Sequence, residues 1–155
     1  MSLKITRINL GIANCFLIDS EAGFFLVDSG LALRRKALEG ALRAAGCQPS
    51  DLRLVLVTHG DLDHTGNCAY LQQDCGVKIA MHPNDAGMAE QGDMGIGRHV
   101  TGARKLIFKF SPFLLAYRPF SPDLLLNDGD DLNPWGLHAR VYHLPGHSSG
   151  SRSVS

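Results

Sequence analysis

At 155 residues the chain has the length of one ordinary domain, and its 45% apolar residues suffice for one core. Its 15 basic residues are matched by 15 acidic ones, so no long-range field favours nucleic acid or an anionic membrane as a partner. No apolar run approaches the ~20 residues of a membrane span, and Met1 to Arg7 is not followed by the apolar core of a signal peptide, so the cytoplasm is the expected location.

In chain order, Lys4 to Asn9, Asn14 to Asp19 and Gly23 to Asp28 read as three short strands separated by Gly-bearing or acidic turns, which predicts an antiparallel meander. Leu31 to Ala45 carries Leu31, Leu38, Ala41, Leu42 and Ala45 on one side and Arg34, Arg35, Lys36, Glu39 and Arg43 on the other. That is an amphipathic helix, closed by Gly46. Leu52 to Val57 reads as a buried strand, Gly66 to Cys75 as a helix and Val77 to Met81 as the next strand. His82-Pro83-Asn84-Asp85 then leads toward a helix near Ala86 to Glu90, begun by Asn84 or Asp85. The succession predicts an α+β layer with helices on one face of a mixed sheet. Four cysteines without a Cys-x-x-Cys pair, Cys15, Cys47, Cys68 and Cys75, are expected as reduced thiols in or near the core.

Residues 91 to 120 combine four glycines with an apolar, aromatic stretch from Leu106 to Tyr117. By its residues that stretch is a poorly regular segment packed on core or on a partner. Asn127-Asp128-Gly129-Asp130-Asp131 has ligand-type residues, but Asp-Gly is a turn signal, and a hairpin is expected there. Leu137 to Leu144 reads as a strand, with His138 and His143 on a face or edge. His82 and His99 are read in the same way.

The densest chemistry is Thr58-His59-Gly60-Asp61-Leu62-Asp63-His64-Thr65-Gly66, four ligand-type side chains within six positions after an apolar strand. Imidazole nitrogen and carboxylate oxygen together suit zinc, iron or manganese. The competing reading makes Asp61 and Asp63 turn or helix-capping residues and leaves the histidines solvated.

This pattern resembles the metallo-β-lactamase superfamily, whose signature here is Thr-His-x-His-x-Asp-His-x-Gly. Thr58, His59, Asp63, His64 and Gly66 match, and Asp61 stands where a second histidine is usual. Phe24-Phe25-Leu26-Val27-Asp28-Ser29-Gly30 is similar to the early strand ending in Asp-x-Gly. Leu144-Pro145-Gly146-His147-Ser148-Ser149-Gly150-Ser151 is similar to the later Pro-Gly-His motif. The resemblance implies a metallo-β-lactamase-like αβ layer, half or more of an αββα sandwich, and it adds a second reading of residues 91 to 120 as a lid over the metal site. It implies a single domain over residues 1–155 that stops before the family's bridging Asp and final His.

The resemblance also implies the chemistry. His59, Asp61 and His147 would hold one metal ion, Asp63 and His64 would contribute to a second, Asp28 would support the loop from behind, and Asp63 would position the attacking water. Zinc is the expected cofactor, one or two ions in the complete protein, with iron or manganese as alternatives because Asp61 adds a hard oxygen donor. The implied activity is hydrolysis of a small-molecule ester, thioester, lactone or related substrate. The alternatives are a diiron-type redox protein of the same fold and a non-catalytic incomplete domain. With only part of the ligand set encoded, the chain by itself is expected to bind metal weakly and turn over poorly. Self-association is expected through an exposed sheet edge or the 106–117 apolar stretch.

Overall fold

The structure is a computed structural model that describes residues 3–92, 116–143 and 152–154. Strands β1 (Lys4–Asn9), β2 (Asn14–Ser20) and β3 (Gly23–Val27) form the expected antiparallel meander. From β3 onward the sheet changes sense. Strands β4 (Leu52–Leu56), β5 (Lys78–Met81) and β6 (Leu124–Leu125) are added parallel, giving one six-stranded mixed sheet in the order β1-β2-β3-β4-β5-β6. Parallel neighbours require crossovers. These carry α1 (Arg35–Ala44), the short α2 (Leu62–Thr65) with α3 (Cys68–Gln73), and α4 (Pro83–Gln91).

Period-two alternation divides the sheet residues between two cores. Leu17, Leu26, Val55, Ile79 and Met81 point to the face covered by helices, where they pack with Leu38 and Leu42 of α1, Leu71 of α3 and Ala89 of α4. Ile18, Phe25, Leu54, Leu56 and Ala80 point to the other face and meet Leu126, Leu132, Leu137 and Val141. Among the described residues the helices therefore lie on one face, and an irregular strap covers part of the other. Cys15, Cys47 and Cys68 are buried and Cys75 is half-buried, all as free thiols.

Four expectations are corrected in detail. The first helix begins at Arg35, because Ala32–Arg34 forms a tighter turn of 3₁₀ helix. The helix expected from Gly66 to Cys75 is split into α2 and α3, and α2 already includes Asp63 and His64. The fourth helix starts earlier, at Pro83. Pro83 lacks an N–H and suits the first turn, and His82 acts as the cap, accepting a hydrogen bond from Asn84 N at 3.2 Å.

The fourth correction concerns Asn127 to Asp131. The turn itself is present, with Asp130 N donating to Asn127 O at 3.2 Å and Gly129 at φ 82°, but it is not a hairpin tip. Backbone bonds from Gly129 and Leu132 to Val141 and Ala139, and the bridge between Asp131 and Arg140, place the reversal later, around the 3₁₀ turn Asn133–Trp135. Strand β7 (Val141–His143) follows and pairs antiparallel with β8 (Arg152–Val154). His99 and the 106–115 part of the apolar stretch lie outside the described residues. Among the described residues no helix is long and apolar enough to cross a membrane.

Candidate metal centre

The change of sense at β3 brings the carboxyl ends of β3 and β4 side by side, and the site is built across that junction. Asp28 N donates to Leu56 O at 3.0 Å, and Asp28 is the one non-glycine among the described residues with positive φ, at 60°. That left-handed turn costs about 1 kcal/mol or more for a residue with a Cβ. Here it aims a buried carboxylate across to the next strand. Asp28 Oδ1 accepts from Thr58 N at 2.8 Å, Oδ2 accepts from Thr58 Oγ1 at 2.8 Å, and Oδ2 lies 2.7 Å from His64 Nδ1. Asp28 thus ties the end of β3 to Thr58 and to the His64 ring.

Those bonds settle which imidazole nitrogen faces the site. The single Thr58 hydroxyl hydrogen goes to the Asp28 carboxylate, so the His59 Nδ1 found 3.0 Å from Thr58 Oγ1 must donate to it. His64 Nδ1 likewise donates to Asp28. With Nδ1 turned to these partners, it is Nε2 of each ring that faces the site; without a metal, His64 Nε2 donates to Asp63, and a metal ligand would need that nitrogen unprotonated. His59 Nε2 lies 3.4 Å from Asp61 Oδ2, and His64 Nε2 lies 3.5 Å from Asp63 Oδ2. The two rings are neighbours, with centroids 3.9 Å apart.

Each pair has the spacing of two donors on one ion: bonds of 2.0–2.2 Å at tetrahedral angles put donor atoms about 3.3–3.6 Å apart. The residues therefore fit zinc two by two, and Asp28 behind His64 supplies the carboxylate that such ligands usually have on their other nitrogen. Among the described residues no set of three His, Cys, Asp or Glu side chains is arranged to hold an ion. His147, the expected fifth ligand, lies outside the described residues.

The electrostatics follow from the same contacts. Burial works against charge on His64, but the hydrogen bonds to Asp28 and Asp63 prevail and push its pKa up to about 10. The His64 contact in turn holds the Asp63 carboxyl below its usual range, against partial burial. Asp61 occupies the cap position of α2 and its carbonyl accepts from His64 N and Thr65 N, yet its side chain makes no capping bond to the helix. The backbone half of the competing reading is thus correct, while the carboxylate turns to His59.

The loop is locked from below by residues the sequence reading did not single out. Ser29 N and Oγ both donate to His64 O, at 2.8 and 2.9 Å, and the Asn67 side chain donates to Ser29 O at 2.7 Å and Leu31 O at 2.9 Å. From α4, the Asp85 carboxylate accepts from Gly60 N at 2.9 Å. Ser29 lies inside the Asp-x-Gly turn and so carried some signal. Asn67 and Asp85 look like ordinary helix-start residues in sequence.

The model of the metallo-beta-lactamase superfamily matches residues 8–155. The chain belongs to that superfamily. It is 30% identical over 152 residues to an acyl-coenzyme A thioesterase, MBLAC2, of Gallus gallus, an alignment covering 90% of this chain and 51% of that protein. It is 28% identical to the hydroxyacylglutathione hydrolase GloC of Haemophilus influenzae, over 97% of this chain and 64% of the relative. A class B3 di-zinc metallo-beta-lactamase, LRA-12, from an Alaskan soil metagenome superposes with a TM-score of 0.74 at 26% identity, over 97% of this chain and 53% of its own. The chain thus spans about half the length of the thioesterase and the lactamase. The layered α+β fold expected from the sequence is also that of the lactamase structure.

Proposed function

We propose that this chain contributes the first ligand half of a zinc-dependent hydrolase that cleaves small acyl substrates, with acyl thioesters first, ahead of other esters and lactones. One observation carries the reading: two His Nε2/Asp Oδ2 pairs, each spaced for a shared cation, lie on neighbouring rings with a buried carboxylate behind one of them. The thioester is placed first because a thioesterase is among the relatives.

His59 with Asp61, and His64 with Asp63, are the residues that would hold the ions. When bound, a divalent ion supplies Lewis acidity, which polarises an acyl oxygen and makes water a better acid. Asp63, a carboxylate at neutral pH, accepts a hydrogen bond from water and orients it toward the acyl carbon. Asp28 and Thr58 keep both imidazoles turned so that Nε2 faces the site. Asp61 brings an anionic oxygen where the family has a nitrogen, which favours harder ions at that position.

The test is metal analysis of the purified protein, joined to hydrolysis of an acyl-thioester, ester and lactone panel before and after chelation. Zinc uptake that is reduced in each of His59→Ala and His64→Ala, with chelator-sensitive thioester cleavage, supports the reading. Failure to take up metal at saturating zinc, or cleavage indifferent to chelation, sinks it. A coloured, iron-loaded protein would favour the diiron alternative instead.

A further inference from the structure

We infer that Asp85 is a positioning residue for the His59/Asp61 half of the site, acting through the backbone of Gly60. This rests on the metal-site reading above. Gly60 is the single residue between those two ligands, so its peptide fixes the relation of one side chain to the other. Its N–H is held by Asp85 Oδ2 at 2.9 Å in a fully buried contact, and Asp85 is only 1% exposed.

Asp85 sits in the first turn of α4, where the unsatisfied N–H groups of the helix start favour a carboxylate. The loop also lies flush on that helix. A Cβ on Gly60 would meet Met88 Sδ at 3.1 Å and the Cβ atoms of Asp85 and Met88 at 3.3 Å each. Glycine at the position between the ligands is therefore what lets the loop come down far enough to reach Asp85.

The ligand loop is thus gripped by two buried carboxylates from different elements. Asp28, at the end of β3, holds Thr58 and the His64 ring. Asp85, from α4, holds the peptide that carries His59 and Asp61. The two grips act on different metal pairs, so loss of one should be felt unevenly. A residue that merely stabilised the fold would affect both pairs alike.

The experiment compares Asp85→Ala and Asp85→Asn with the unaltered protein. In the metal-free state, hydrogen exchange at the Gly60 amide reads the contact directly. Asp85→Ala should lose protection there, whereas Asp85→Asn, which keeps an acceptor oxygen, should retain most of it. Stepwise zinc titration against a chromophoric chelator then reads its consequence. Asp85→Ala should weaken one step by about 10- to 100-fold, the range for groups that orient metal ligands. That step should be the one abolished by His59→Ala, with the other unchanged.

Unchanged Gly60 exchange in Asp85→Ala, equal weakening of both steps, or an Asn variant as impaired as the Ala variant would overturn the inference. If the unaltered protein takes up no zinc, the functional reading fails, and the exchange measurement alone still decides whether Asp85 positions the loop. Should Asp85→Ala not fold, Asp85→Glu, which keeps the charge but displaces the oxygen, is expected to weaken the same step, and normal binding in it would refute the role.

Discussion

Gly66 offers the sharpest test of how the site is packed. Its backbone is helical, with φ −57° and ψ −30°, so every L-residue could adopt it and only space demands glycine. An added Cβ would lie 2.4 Å from Ala32 N, 2.6 Å from Gly30 O and 2.8 Å from the Leu31 carbonyl carbon. All three are backbone atoms, in a segment pinned by the Asn67 side chain through Ser29 O and Leu31 O. No flexible side chain can swing away to relieve the clash.

Overpacking a well-ordered interior usually costs 1–3 kcal/mol, and a contact against fixed backbone belongs at or above the top of that range, so Gly66→Ala should destabilise by about 3 kcal/mol or more. With a urea slope of about 1–3 kcal/mol/M, the unfolding midpoint should fall by about 1 M or more. Gly40 is the control. It lies inside α1 with nothing within 4 Å of an added Cβ, and Gly40→Ala should stabilise by about 1 kcal/mol through helix propensity alone. Urea titration followed by far-UV circular dichroism measures both. A Gly66→Ala midpoint equal to the unaltered protein's would show that Gly66 and the backbone of residues 30–32 are not in the contact described.

Three other outcomes are expected. Asp28→Asn should keep the fold, since asparagine tolerates positive φ, but should weaken zinc binding by about 10- to 100-fold because an amide cannot serve Thr58 and His64 as a carboxylate does; chelator competition measures this, and unchanged affinity would remove Asp28 from the site. Partial burial opposes charge on Asp123, but its bonds from Lys78, Ile79 N and Gln72 prevail and hold its carboxyl below the usual range. A depressed carboxylate stabilises fully above its unfolded pKa and less as pH falls through the folded one, so Asp123→Asn should flatten the melting temperature below about pH 4, and a parallel acid profile would contradict the assignment. Burial raises the Cys15 and Cys68 thiols, Cys68 to about 12 and Cys15 further. A thiol reagent should therefore label Cys75 first and the buried cysteines only on unfolding, and rapid native labelling of Cys15 or Cys68 would show that the core is open.

Much of this architecture was legible because it is written in local patterns. The apolar run from Leu52 to Val57 and the spacing of His59, Asp61, Asp63 and His64 are short-range features, and they survive folding nearly unchanged. The break between α2 and α3 was not legible. It depends on Gly66 pressing against residues 30–32 and on Asn67 turning its side chain down to the β3 end, contacts made across more than thirty positions. Asp85 escaped for the same reason, since a carboxylate after His-Pro-Asn reads as a helix start until the Gly60 amide is found beside it. The reversal after Asn127 was misplaced because an Asp-Gly turn fixes a local bend but not which strands flank it.

The reversal of strand sense at β3 also orders events in time. The β1–β3 ribbon closes through neighbouring residues, whereas the ligand loop is tied by bonds spanning 30 positions from Thr58 to Asp28, 36 from His64 to Asp28 and 25 from Gly60 to Asp85. Contacts so distant along the chain pay a larger loop-closure entropy and tend to form late. During refolding the capacity to capture a cation should therefore trail the appearance of the sheet, and ion uptake would report that the chain has finished, an idea that simultaneous signals would rule out.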